Sequence, residues 1–257
     1  VAGPPLRYLH HCNWKMLVEN QTDTCHPMVA HESSAGTAVK LWKELDMPEG
    51  TPLPPAMEII APFTSPYEFF EKMGIRTWPN GHGHTGVHHS IHSNYSEIPG
   101  YMDKMVESYG EEKAKAILGE NRHNTVYFPN IMIKGPIQQL RVFIPLAADR
   151  TIVESYIYRL VDGPEELTAR TAMYNRMINA PTSIVGHDDL EMYERAQEGL
   201  HVNGLEWVNI QRLYEPGEDF SHEAVENGTT ERQMRNQFDA WVKFMTCDMD
   251  GVQEAAE

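Results

Sequence analysis

Residues 125–160 read TVYFPNIMIKGPIQQLRVFIPLAADRTIVESYIYRL, and this run decides the fold class. Thr125–Ile133, Ile137–Leu146 and Ile152–Leu160 are rich in Val, Ile, Tyr and Phe, residues that suit a pleated, half-buried surface. Lys134-Gly135-Pro136 and Ala148-Asp149-Arg150 separate them. Connections this short cannot carry a crossover, so the strands are expected to form an antiparallel meander. Upstream the period turns helical: Pro66–Met73 and Tyr101–Leu118 carry apolar residues at helical spacing, with Glu111 and Lys115 as an i,i+4 pair. Ser65 would cap the first, with Pro66 in its opening turn. Downstream, Pro164–Asn179 and Asp188–Glu198 also read as helices. The last strong signal is Thr229–Cys247. Thr229 or Thr230 can cap it, and Met234, Phe238, Trp241 and Met245 recur every three or four residues. The class is α+β, an antiparallel sheet gripped by a long C-terminal helix. Pro48–Pro55 and the Gly- and His-rich stretch Trp78–Tyr95 are expected to be irregular.

The chain has 257 residues, room for one large domain or two small ones. Twenty-one Lys and Arg against 37 Asp and Glu leave a formal charge of −16, which repels phosphate backbones and anionic membrane faces. Nucleic acid is therefore a poor partner. No apolar run approaches the ~20 residues that span a bilayer. Cys12, Cys25 and Cys247 form no paired spacing, so a disulfide scaffold is not expected and a reducing cytoplasm is the default. The chain begins Val1-Ala2-Gly3-Pro4-Pro5, which reads as mid-protein sequence rather than as a leader.

The chemistry-bearing pattern is Asp23-x2-His26-x4-His31. Two nearby imidazoles suit a borderline metal such as Fe(II), Zn or Cu. Residues five apart on a straight helix point roughly 140° apart, so the backbone must bend between them, and Pro27 is a candidate for the bend. Asp23 lies three residues before His26, within reach of its free ring N–H, the carboxylate that metal-bound histidines usually need. A second cluster, His187-Asp188-Asp189, opens a helix. One of the two aspartates is explained as an N-cap or dipole partner; the other could complete a facial triad of two histidines and a carboxylate. Against this, 13 histidines make some close pairs by chance.

Asn13-Trp14-Lys15, Glu19-Asn20, Asp23-x2-His26-x4-His31 and Asp188-Asp189 with Gln197 resemble the catalytic domain of Rieske non-haem iron oxygenase alpha subunits, the aromatic-ring-hydroxylating dioxygenases and related monooxygenases. Phe128-Pro129-Asn130 on a strand and Arg235-x5-Trp241-x3-Met245 on the last helix are similar to the same family. The resemblance covers Asn13 to Met245. It implies a helix-grip fold of the Bet v 1/START-like kind, a sheet wrapped around the C-terminal helix, with residues 1–257 as one mononuclear-iron catalytic domain. It also implies His26, His31 and Asp189 as Fe(II) ligands. Asp23 would hold His26 and bridge to the Rieske [2Fe-2S] cluster of a neighbouring subunit. Asn20 would sit close to the iron, with Asn130 and Val185 as candidate pocket lining. The family's Cys-x-His and Cys-x2-His motif is absent, so the N-terminal Rieske domain is expected to lie outside these 257 residues. Glu19-Asn20 also stands two residues before Asp23, where some members have three.

The implied activity inserts O2-derived oxygen into a small aromatic or other apolar substrate. Its product is a cis-dihydrodiol, a phenol, or a dealkylated amine or ether. Electrons would come from NAD(P)H through a reductase and, in some systems, a ferredoxin. The assembly would be a homotrimer or an α3β3 complex with a small beta subunit. In the loop Gly81-His82-Gly83-His84, alternation suggests a strand edge whose glycines admit a close approach; one of His82 or His84 would face the pocket, and both lying in an exposed loop is the bland alternative. Lys134 and Arg141 are the strand-region cations that an aromatic carboxylate would want, with their facing open. Two rivals remain. A zinc hydrolase would need a general base, for which Glu32 is the nearby candidate, and a non-catalytic helix-grip carrier would leave Asp23, His26, His31 and Asp189 scattered.

Overall fold

The computed structural model describes residues 1–92, 97–120, 122–202, 204 and 206–247; Tyr95 of the expected irregular stretch lies outside them. Its core is an antiparallel sheet of eight strands in the order β1-β7-β6-β5-β4-β3-β2-β8. The strands are β1 (Leu6–His10), β2 (Ile75–Thr77), β3 (Gly83–Thr85), β4 (Thr125–Tyr127), β5 (Ile131–Lys134), β6 (Gln139–Ala147), β7 (Arg150–Ile157) and β8 (Ala224–Glu226). β4 to β7 are the expected meander, each paired with the next. The stretch expected as one strand over Thr125–Ile133 is instead β4 and β5 joined by a turn. The Phe128 N–H leaves the ladder for His82 Nδ1 (3.0 Å), and Pro129 has no N–H to give.

The helices follow the expected spans with local departures. Tyr101–Leu118 divides into α6 (Tyr101–Tyr109) and α7 (Glu111–Leu118) at Gly110, whose φ of 80° only glycine adopts easily. Pro164–Asn179 is α8 (Glu165–Tyr174) closed by a π turn, Asn175–Asn179. α5 (Tyr67–Met73) begins one residue after Pro66, and Ser65 makes no side-chain cap. α10 (Arg232–Thr246) starts after Thr230, whose Oγ1 accepts the Arg232 N–H at 3.2 Å.

One face of the sheet is buried over its central strands. On β5 and β6, Met132, Lys134, Gln139, Arg141 and Phe143 all point inward, as the register Met132 opposite Arg141 and Lys134 opposite Gln139 requires. Against the Met132–Phe143 part pack Leu17 and Val18 of α1 (Trp14–Thr22), Tyr193 of α9 (Gly186–Leu200) and Ala240 of α10. A second core joins Ala35, Ile60, Phe63, Phe70, Met73, Ile137, Tyr174, Ile178 and Val185. The polar inner face lies between them. Among the described residues no helix is long and apolar enough to cross a membrane.

Candidate metal centre

α1 delivers the first residues of the site. Asn13 Oδ1 accepts the Lys15 N–H at 3.1 Å and so caps the helix. The Asn13 backbone N–H donates to Gln197 Oε1 of α9 at 2.8 Å, 184 residues away, which fixes α9 against α1. Asn20 and Gln21 end on the inner side. Asp23 follows the helix in extended conformation, its Oδ2 accepting the His26 N–H at 2.8 Å. The expected bend is a single turn, α2 (Pro27–Ala30), with His26 before it, Pro27 at its first position and His31 at its end. A π turn, Glu32–Gly36, follows, with the Gly36 N–H reaching back to the His31 carbonyl at 3.2 Å; such turns are frequent at functional sites.

The folded chain brings both imidazoles against the first turn of α9. Nε2 of His26 and of His31 stand 3.9 and 3.6 Å from Asp189 Oδ1, and ligand atoms of the three residues all lie within 4.8 Å of one another. These separations are too long for hydrogen bonds and short enough for one shared cation. The far ring nitrogens face carboxylates: His26 Nδ1 lies 3.4 Å from Asp23 Oδ2, and His31 Nδ1 lies 3.2 Å from Asp188 Oδ2. An Nδ1–H on each ring leaves both Nε2 lone pairs aimed at the centre, the arrangement that metal-binding histidines use. Two imidazoles and a carboxylate with open positions fit a mononuclear Fe(II) better than a purely thiolate or carboxylate metal.

Asn20 sits between the ligands. Its Nδ2 lies 3.2 Å from His26 Nε2 and 3.3 Å from Asp189 Oδ1, while its Oδ1 accepts from Gln21 Nε2 at 2.8 Å, which fixes the amide orientation. Asp188 also accepts from the Ser33 hydroxyl at 3.3 Å and from the Ser34 hydroxyl. Neither aspartate caps α9, whose first turn they share. The cap or dipole partner expected of one of the two aspartates is thus replaced at Asp188 by contacts to His31 and two serines, for which adjacency to Asp189 is the one signal in the sequence.

Burial works against protonating His26, but Asp23 and Asp189 outweigh it and its pKa rises; at His31 burial prevails and the pKa falls. Burial alone would raise Asp23. Hydrogen bonds and charge from His26, with the Arg212 guanidinium on its Oδ1 at 2.9 Å, bring it down to about 2.

A cavity of about 40 Å³ adjoins the triad. Phe63, Phe70, Met73, Ile91 and Ile178 form its apolar side; Gln21, Asn124, Lys134, Arg141 and Asn179 form its polar side. Burial, with Arg141 nearby, lowers Lys134 to about 7 although Asp189 opposes this. Of the expected lining residues only Asn20 faces this cavity. Asn130 turns to the sheet, donating from Nδ2 to the Phe143 carbonyl at 3.1 Å. Val185 is fully buried in the second core beside Ile178. His82 accepts the Phe128 N–H, and His84 is buried with its ring 5.4 Å from Trp78, so neither reaches the cavity nor lies in an exposed loop. The glycines of that loop admit close neighbours, since a Cβ on Gly83 would collide with Gln233 Oε1 of α10 and one on Gly81 would stand 2.7 Å from the Phe128 ring. β3 is interior, not an edge.

This fold agrees with the family comparison. The chain belongs to the ring hydroxylating alpha subunit (catalytic domain) family, whose model matches residues 5–246. Among its relatives are the 2-halobenzoate 1,2-dioxygenase large subunit of Burkholderia cepacia, 25% identical over 209 residues, covering 80% of this chain and 42% of the relative. The toluate 1,2-dioxygenase alpha subunit of Pseudomonas putida is 25% identical over 199 residues, covering 77% and 41%. The chain therefore spans about two-fifths of the length of these relatives. Naphthalene 1,2-dioxygenase from Rhodococcus sp. bound to indole shares the fold with a TM-score of 0.63 at 18% identity, covering 96% of this chain and 56% of that one. A second naphthalene 1,2-dioxygenase with indole in its active site gives 0.62 at 21%, covering 93% and 53%.

Proposed function

We propose that this chain forms the mononuclear-iron catalytic domain of a ring-hydroxylating oxygenase, residues 1–257 acting as one unit, with His26, His31 and Asp189 as the Fe(II) ligands. The observation that carries this is the convergence of three ligand atoms within 4.8 Å, with a carboxylate facing the far nitrogen of each imidazole. Bound iron would supply O2 activation next to an apolar pocket. The chain's own residues do the rest. Asp23 and Asp188 keep both rings in the Nδ1–H tautomer. Asn20 holds its amide nitrogen beside His26 Nε2 and Asp189 Oδ1 and so positions both ligand atoms, and Phe63, edge-on to His31 at 5.4 Å, excludes water from one flank. Asp23 is the proposed contact toward a Rieske [2Fe-2S] cluster on a neighbouring subunit, with Arg212 holding its outer oxygen.

The whole protein would draw electrons from NAD(P)H through a reductase, with or without a ferredoxin, in the cytoplasm, as a trimer or with a beta subunit. The names of the two relatives favour dioxygenation of an aromatic ring over monooxygenation or demethylation. The hydrolase reading loses its base: Glu32 is exposed and stands outside the cavity, whose acidic residues are Asp23 and Asp189. A carrier would not need the convergence described above.

The test is metal analysis with an absorption spectrum of the full-length protein. Roughly three irons per chain, about two in a cluster and about one mononuclear, support the proposal. About one zinc without a cluster spectrum overturns it.

A further inference from the structure

We propose that the substrate of this site carries a carboxylate, and that Lys134 and Arg141 bind it at the polar end of the cavity. The inference rests on the metal-site reading and deepens it by naming the substrate class.

Lys134 is 4% exposed and Arg141 6% exposed. Lys134 Nζ donates to the Tyr174 hydroxyl at 2.8 Å; Arg141 donates from Nη1 to Gln21 Oε1 at 3.2 Å and from Nη2 to the Tyr8 hydroxyl at 3.3 Å. All three partners are neutral, and Arg141 Nε is buried with no partner. Neither cation has a carboxylate within 4 Å among the described residues. The other buried arginines of the molecule set the contrast: Arg232 pairs with Glu226 at 3.3 Å, and Arg235 pairs with Glu218 through both ends of its guanidinium. Arg141 is a buried cation without an anion, Lys134 is held near half-protonation at pH 7 for the same lack, and two such groups lining one cavity mark a place where an anion arrives from outside. Asp189 cannot serve both, because its carboxylate faces the two histidines.

The geometry suits a carboxylate on an apolar body. Lys134 lies opposite Gln139 on the neighbouring strand and Arg141 two residues further, diagonal neighbours on one face that a single carboxylate can bridge. Arg141 leads back to the triad through Gln21 and Asn20, each hydrogen-bonded to the next. Across from this row stand Phe63, Phe70, Met73, Ile91 and Ile178, a wall for an aromatic ring. Ile91 is also a wall of a second cavity of about 560 Å³ between α4 (Pro55–Ile60) and the segment Ser90–His92, and an aromatic acid, too large for the inner 40 Å³, needs a shared wall such as Ile91 to move aside.

The experiment measures binding by calorimetry to the full-length protein, both metal-free and loaded anaerobically with Fe(II). The probes are benzoate against benzamide, and phenylacetate against phenylacetamide. The acid of at least one pair should bind at least tenfold more tightly than its amide. This preference should persist without metal, where no ion is present for the carboxylate to ligate. Lys134→Met and Arg141→Gln should each lower acid affinity about tenfold and leave amide affinity unchanged; Lys134→Arg, which keeps the charge, should retain most of the preference and guards against a folding defect. Equal affinity for acid and amide in both pairs overturns the inference, as does an acid preference unchanged in both charge-removing variants. Metal content is read on the same samples. A protein that prefers acids yet takes up no mononuclear iron refutes the oxygenase reading alone, and one that takes up iron without the preference refutes the carboxylate site alone.

Discussion

Asp188 and Asp189 are neighbours in sequence with different tasks. One turn of α9 aims Asp189 at both Nε2 atoms and Asp188 at His31 Nδ1 and the Ser33 and Ser34 hydroxyls. Asp189→Ala should therefore abolish mononuclear iron binding, read by metal analysis. Asp188→Asn should weaken it about 10- to 100-fold in competition with a chelator, and unchanged affinity would end the orienting role given to Asp188. Lys134 yields a pH dependence. The unfolded chain keeps this lysine protonated to about 10.4, whereas burial lowers its folded pKa to about 7. Between those values the unfolded state binds the extra proton, so stability of the metal-free protein rises with pH. The stability difference between wild type and Lys134→Met should then shift by an amount on the order of a few kcal/mol as pH rises from 7 toward 10. A pH-independent difference would mean the lysine is not titrating there. At this scale the histidines were legible because few residue types bind metal. The facing of Asp188 was not, because roughly 100° of rotation per residue separates one side of α9 from another; Asn130, in the turn between β4 and β5, and Val185, just before α9, have no period to set theirs.

Among the elements, β6, β7 and α10 could be read from sequence because each repeats its period several times, whereas β4 and β5 are short enough to read as one strand. β2, β3 and β8 have three residues apiece, too few to show alternation, and β1 is ordered by pairing with β7 through Leu6–Ser155 to His10–Thr151. The Gly-His loop is set by an element far along the chain: Gln233 Nε2 donates to the Gly81 carbonyl at 2.8 Å, and Asn236 Nδ2 to the Trp78 carbonyl at 2.8 Å. Gly83→Ala should cost about 2–3 kcal/mol in denaturant unfolding, because the new Cβ meets the Arg76 carbonyl at 2.7 Å as well as Gln233. Gly110→Ala meets no atom within 4 Å, so its smaller loss would come from the positive φ alone.

With the proposed ligand set, the molecule as a whole would couple its stability to the ion. A ligand that binds only the folded state adds about 2.7 kcal/mol at one hundred times its Kd. The melting temperature should rise with added Fe(II) under anaerobic conditions and should not do so in Asp189→Ala; equal shifts in both proteins would place the ion elsewhere. Three arginines hold the irregular segment 206–223: Arg212 within it reaches Asp23, and Arg232 and Arg235 of α10 reach the Asp219 carbonyl and Glu218 within it, so this segment belongs to the same cooperative unit. The triad is also assembled from distant chain: Asn20 and Asp189, which meet at 3.3 Å, are 169 residues apart. During synthesis two imidazoles leave the ribosome long before their carboxylate exists, and an incomplete pair holds iron weakly. With the proposed ligands, iron loading would therefore be a late event in the life of each molecule, one that waits for α9 to dock on Asn13 and that a product truncated before α9 would not reach.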